Sequence, residues 1–432
     1  MKGTLDTIVL QSHDFRKNDP KWLASLRKEA VDIIRDKGFP SVRHEEWKYT
    51  SLEDMYRSEL HLPKAEENRL TENDIETKTL AKNTKCKAVF LNGRFSKSLS
   101  RISNSPNKLK LTLFSHLLKN ESESLKKALR NTPNEAFTSL NTALMDEGLL
   151  IESQNNPTES DLVHVINISV GNLNTITTPR IAIKSNANSK LTVIEEFIDF
   201  SDGESFTNAV TIIEAAQGSE IQHHRITNNR NSYHVGHLKC LVNKDANLIS
   251  SSLALGGKVS RINIDAQLNE TGASCQLTGL FIGMNEETID HPTSIEHAAS
   301  NTFSDEAYKG VMGGKSKGVF NGKVVVNKNI SGVKASQNSN NLLLSEIADI
   351  NTKPELEIYS DDVRCAHGAT VGELDSDSIF YLRARGISEK DARQMLVEAF
   401  IDDALSKIPV PSVQDEVKKV IRTARINEAN IK

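Results

Sequence analysis

Three regimes of hydrophobic spacing divide the chain. In the first, apolar positions recur at helical intervals. Trp22, Leu23, Leu26, Ala30, Ile33 and Ile34 follow Asp19-Pro20-Lys21, and Gly38 with Pro40 ends the run. Residues 44–52 open a second short helical stretch, and residues 113–129 and 135–145 predict two more. Between them Ala88 to Phe95 reads as a strand turning at Asn92-Gly93. The spacing predicts a mostly helical N-terminal domain over residues 1–150.

From about residue 160 to 370 the helical period disappears and short alternating runs follow one another, at residues 163–168, 180–184, 210–214 and 262–265. Between them sits a recurring unit, a small or amide residue with an apolar residue three positions on: Asn188 and Leu191, Gly218 and Ile221, Ala246 and Ile249, Gly272 and Cys275. These units lie 30, 28 and 26 residues apart. A loose period in the twenties, with strands and no helices between them, predicts a solenoid of stacked strands. An aromatic content of 5% fits a narrow interior filled by Val, Ile, Leu and Ala. A β-sandwich is the weaker alternative, because clear hairpin signals are missing over some two hundred residues. Residues 151–372 are therefore expected to form a parallel β-helix.

Residues 373–432 return to helix. Residues 376–384 carry Ile379, Phe380 and Leu382 and stop at Gly386. Ser388-Glu389-Lys390-Asp391 resembles a capping box with Asp in the last position, and Ala392, Met395, Leu396, Ala399, Phe400 and Ala404 follow as a stripe. After Pro409 and Pro411, Ser412 opens another helix with Val413, Val417, Val420 and Ile421. Such stripes usually pack on their own domain, and a terminal helical pair at a solenoid's end also suits a docking surface.

Charge narrows the function classes. Lys and Arg number 53 against 57 Asp and Glu, a net charge of −4 over 432 residues, which argues against a nucleic-acid binder working through a basic surface. No apolar run approaches a membrane span, and Met1 to Asp6 lacks the unbroken apolar stretch of a signal peptide. Cys86, Cys240, Cys275 and Cys365 are too scattered for a disulfide framework. Free thiols in a cytoplasmic protein are the expectation.

Phosphate-loop, nucleophile-elbow, His-Glu-x-x-His and dinucleotide fingerprints are absent. Gly313-Gly314-Lys315-Ser316 lacks the first glycine of a phosphate loop and reads as a turn. His223, His224, His234 and His237 form a run that a metal could use, although histidines on solenoid faces are more often hydrogen-bonded. The strongest local signal is Cys365-Ala366-His367. Residues two apart on a strand share a face, so thiol and imidazole point together, a donor pair suited to iron, zinc or a sulfur-bearing intermediate. A neighbouring imidazolium would also lower the thiol's pKa. Two ligands do not close an iron–sulfur site. Either the site is transient or a partner chain supplies the rest, and this chain alone is expected to bind no stable cluster.

The stretch from Thr352-Lys353-Pro354-Glu355 through Cys365-Ala366-His367-Gly368 to Phe380-Tyr381-Leu382-Arg383 resembles the SufB/SufD family of the SUF iron–sulfur cluster assembly machinery, and within it the SufD branch. Glu45-Glu46-Trp47-Lys48-Tyr49-Thr50, the run Ala136 to Leu144, Tyr308-Lys309-Gly310-Val311 and the run Gly318 to Lys323 match in the same order, so the likeness covers nearly the whole chain. Ala366 stands where a serine is frequent. The resemblance implies a right-handed parallel β-helix flanked by helical domains, and a non-catalytic scaffold in complex with SufB and the ATPase SufC. It places Cys365 and His367 at the SufB boundary, where a nascent cluster forms, and SufC docking on the helices around Phe380 to Phe400. Whether the isolated chain pairs with itself is left open. Two competitors remain: a β-helix carbohydrate-active enzyme using Asp290, Glu296, Asp361 or Asp362, and a stand-alone metalloprotein using the His223–His237 run.

Overall fold

The computed structural model describes residues 5, 7–9, 19–63, 70–102, 109–119, 122–153, 161–171, 174–229, 231–408 and 410–423. The molecule is mainly β, a solenoid of about 7 turns with helices at both termini.

The corners explain the solenoid. Asn188, Gly218, Asp245, Gly272, Asn301 and Gly332 all take left-handed backbone, with φ between 52° and 76°. Their amides form a stack, Asn188 N–H donating to Gln217 O, Gly218 N–H to Lys244 O and Asp245 N–H to Thr271 O. Side-chain-bearing and bare residues alternate for a steric reason. A Cβ on Gly218 would lie 2.2 Å from Asn188 Oδ1, and one on Gly272 would lie 2.0 Å from Asp245 Oδ1. Each Asn or Asp side chain lies over a glycine one coil on.

Each corner launches a strand that stacks in register on the last. Leu191, Ile221, Leu248, Cys275, Ser304, Ala335 and Cys365 form one inward column. The sequence repeat had placed Ile249 in this column. Leu248 takes the place because the left-handed residue is Asp245 and not Ala246, and a shift of one residue changes the face a side chain occupies.

Two ten-stranded sheets result. The first begins with Arg94–Phe95 lying antiparallel to Lys87–Leu91 and ends with Val333–Leu343 and Val363–Glu373. The second begins with Leu109–Leu113 antiparallel to Gly148–Ser153 and ends with Lys317–Val326 and Asp349–Ile358. The chain before residue 151 thus supplies starting strands as well as helices. All later neighbours within each sheet are parallel, and the space between the sheets is packed with aliphatic side chains such as Leu238, Val242, Leu248 and Ile264.

Helices cover the outer faces. Helix α1 (Lys21–Lys37) stops at Gly38, φ 69°, and Asp19 just before it pairs with Arg27 at 2.8 Å. Helix α2 (Ala136–Leu144) joins it over the second sheet, where Ile34, Trp47, Phe137 and Leu140 pack with Phe206, Tyr233 and Val235. The stretch at 44–52 is a 3-10 turn over Glu45–Trp47, and that at 113–129 splits into Phe114–Lys119 and Glu123–Arg130. At the other end α4 (Glu389–Ser406) and α5 (Pro411–Thr423) cover the first sheet, and α3 (Ser376–Arg383) packs on α4. The α4 stripe differs from the sequence reading. Val397, Ile401 and Leu405 are buried with Ala392 and Ala404, while Met395 is 48% exposed, because the sheet beneath offers Leu253, Leu280 and Ile282 to the branched residues. Pro409 lies outside the described residues. No helix among the described residues is long and apolar enough to cross a membrane.

Candidate functional site

Cys365 and His367 stand on Val363–Glu373, the last strand of the first sheet, and share the inward face. Their columns run back into the core: Cys365 follows Ala335 and Ser304, and His367 follows Gln337 and Glu306. What distinguishes them is the end of the fold. Among the described residues neither Val363–Glu373 nor Asp349–Ile358 has a strand on its outer side, so inward side chains of the last coil meet solvent. Cys365 is half-buried against Leu356, Val363 and Ala335, and His367 is exposed. Tyr359 and Val371 beside them are 54% and 46% exposed. A bare parallel edge with apolar side chains is a pairing surface. Burial pushes the Cys365 thiol above its ordinary value. A thiol so placed carries its proton at neutral pH.

The histidine run does not form a site. His223 and His234 point into the solenoid, where His223 meets Ser250 at 3.1 Å and His234 lies edge-on to Phe197 at 4.8 Å. His224 faces the outside of the first sheet, stacked in register on Ile194, and His237 the outside of the second, 3.1 Å from Asp265. Burial pushes His224 and His234 down to about 3, which leaves both neutral. No group of three or more His, Cys, Asp or Glu placed to hold a metal ion occurs among the described residues.

The four carboxylates fall in two separate places. Asp290 is buried against Arg261 and Thr50, and burial raises its pKa. Glu296 accepts from Gln267 at 3.0 Å and Asn327 at 2.8 Å. Both line a groove of about 880 Å³ beside Glu45–Trp47. Asp361 and Asp362 belong to the last corner instead, where Asp362 accepts the Gly332 amide at 3.2 Å. Gly313 to Ser316 is a corner turn, with Gly314 at φ 64°.

Sequence reasoning missed the polar core. Arg225 donates to Glu195 at 2.9 Å and to Thr211 at 3.0 Å, all three buried. Burial works against the Glu195 charge, but Arg225, His223 and Thr211 outweigh it and hold the carboxyl at about 2. Gln337 likewise donates to Glu306 at 2.6 Å. Partners one coil apart were the available signal: Arg225 pairs with Glu195 and Glu306 with Gln337 across adjacent strands. Outside, Lys309 fastens α4 by bonding Phe400 O and Asp403. Near that helix Phe380 and Tyr381 are 73% and 57% exposed, with the Arg385 guanidinium 4.0 Å from the Tyr381 ring centre.

The fold is a β-solenoid sealed by antiparallel strands at its start and, among the described residues, without a covering strand at its end. The chain belongs to the SufBD family of the SUF system for iron–sulfur cluster assembly. Residues 167–400 match the family described as "SUF system FeS cluster assembly, SufBD core domain", and residues 7–157 match "SufBD protein N-terminal region". It is 31% identical over 431 residues to the iron-sulfur cluster assembly protein SufD of Escherichia coli, covering 96% of this chain and 95% of that protein. A SufBD family protein of Synechocystis is 28% identical over 413 residues, 92% of this chain and 90% of that protein. Protein ABCI7, chloroplastic, of Arabidopsis thaliana is 28% identical over 253 residues, 57% of this chain and 53% of that protein.

Proposed function

We propose that this chain is a non-catalytic scaffold subunit of iron–sulfur cluster assembly, pairing through its bare last coil with a SufB-type paralogue and through α3 and α4 with a SufC-type ATPase. The observation that carries the reading is the position of Cys365 and His367 on one face of a strand whose outer side is free. A thiol and an imidazole are good donors to iron and to sulfur, and two donors from one chain leave coordination to be completed across the joint. The nascent cluster is cargo: the scaffold holds it weakly enough to release it. Phe380 and Tyr381 supply the apolar anchors an ATPase contact needs.

The test is His367→Ala in the assembled complex, with melting temperature, subunit stoichiometry and cluster yield read on the same sample. Folding and stoichiometry are expected to hold while cluster yield drops several-fold. Full yield from a complex lacking both Cys365 and His367 side chains would contradict the ligand role. Phe380→Asp is expected to release the ATPase without lowering the melting temperature.

A further inference from the structure

One inward column at the open end carries polar groups on three successive strands, Glu306, Gln337 and His367, each in register with the next. Glu306 and Gln337 are 0% and 1% exposed, and His367 is exposed at the end of the column. The Gln337 amide donates its Nε2 to Glu306 Oε2 at 2.6 Å. When Glu306 is ionised it only accepts, and this bond then fixes which way the amide faces. The remaining atom, Gln337 Oε1, is buried and has no hydrogen-bond partner. A buried carbonyl oxygen left unpaired is costly, and it is relieved by any donor that reaches it. The next residue along the column is His367, one strand spacing of about 4.8 Å away, and a ring N–H is such a donor.

We infer that Gln337, held by Glu306, is a positioning residue for His367: its carbonyl oxygen takes the proton-bearing ring nitrogen and leaves the other nitrogen, with its lone pair, facing the partner. An imidazole binds a metal or a sulfur-bearing group through the unprotonated nitrogen, and the hydrogen bond made by the other nitrogen decides which that is. This rests on the ligand role proposed above for His367, and it deepens that role by naming the groups that prepare the ring. It also gives the polar column a purpose, since an aliphatic residue at position 337 would pack the interior without leaving an unpaired oxygen.

The experiment reads the His367 tautomer directly. In the full chain and in the assembled complex, with 15N-labelled histidine, the His367 ring signals are assigned by their loss in His367→Gln. Measurement at pH 8 keeps Glu306 ionised, above the value of about 7 to which burial pushes it. One tautomer is expected to dominate in the complex. Gln337→Met removes the acceptor but strands Glu306, so the companion variant is Glu306→Met with Gln337→Met, which keeps volume and removes both polar partners. In the double variant the tautomer preference is expected to collapse towards an even mixture, with cluster yield falling several-fold and stoichiometry unchanged. An unaltered tautomer ratio in the double variant overturns the inference, as does an even mixture in the parent complex. If the ratio follows Gln337 while cluster yield does not change, the positioning stands and the ligand role of His367 falls. If yield needs His367 but the ratio ignores Gln337, the reverse holds.

Discussion

The two ends of the solenoid are built from the same columns and finished in opposite ways. At the start each sheet is closed by an antiparallel strand, Arg94–Phe95 on one side and Leu109–Leu113 on the other. At the end both sheets stop on parallel strands with nothing beyond them among the described residues. One column shows the consequence: Leu191, Ile221, Leu248 and Cys275 are fully buried, whereas Cys365 is only half so. A solenoid that caps one end and leaves the other open concentrates stability in its first coils and availability in its last. Residues of one type should therefore behave differently according to the coil they occupy.

The largest effect is expected in the early coils, at Glu195→Ala. It leaves Arg225 buried without its partner and should cost about 3–5 kcal/mol in denaturant unfolding. A loss below 1 kcal/mol would show that water already reaches this pair. The next test compares two positions of one column. Ile221→Ala should cost about 2–5 kcal/mol as a buried truncation, and Cys365→Ala roughly 1 kcal/mol or less. Equal costs would mean that the last coil is as closed as the first.

How far the sequence carried this comparison depends on the residue. The period of the corners was legible because each needs a left-handed residue, and Asn188, Gly218 and Gly272 are residue types that supply it. The third corner was misplaced by one because the left-handed residue there is Asp245, a type that tolerates that conformation but signals it less plainly than glycine, and Leu248 replaced Ile249 in the core as a result. The shared face of Cys365 and His367 followed from the two-residue period of a strand. The raised thiol pKa did not, since it depends on Leu356 and Ala335 closing over the sulfur from other strands. The α4 stripe was misjudged for the same kind of reason: Val397 and Ile401 are chosen by the sheet below, which helical spacing alone does not reveal.

A smaller effect is expected from Glu306, which lies between the two regimes. Burial raises its pKa from 4.5 to about 7. The folded protein therefore holds this proton more tightly than the unfolded chain, so the group's contribution is most favourable below pH 4.5 and is lost as pH rises to 7. Buried His234 and His291, held down at about 3, act in the opposite sense, destabilising as pH falls through 6.5. Because they are common to both proteins, the melting-temperature difference between Glu306→Gln and the parent isolates the carboxyl. That difference should shift in favour of the variant between pH 4.5 and 7, by roughly 3 °C. A flat difference would mean that Glu306 titrates as an exposed carboxylate.

The most direct test of the open end is hydrogen exchange across the last two strands. Amides of Val363–Glu373 and Asp349–Ile358 would be followed in the isolated chain and after mixing with the SufB-type partner. Strong new protection along Val363–Glu373, with little change at Arg94–Phe95 and Leu109–Leu113, is the predicted result. Unchanged exchange in the last strand of a complex that has demonstrably assembled would place the joint elsewhere and contradict the account.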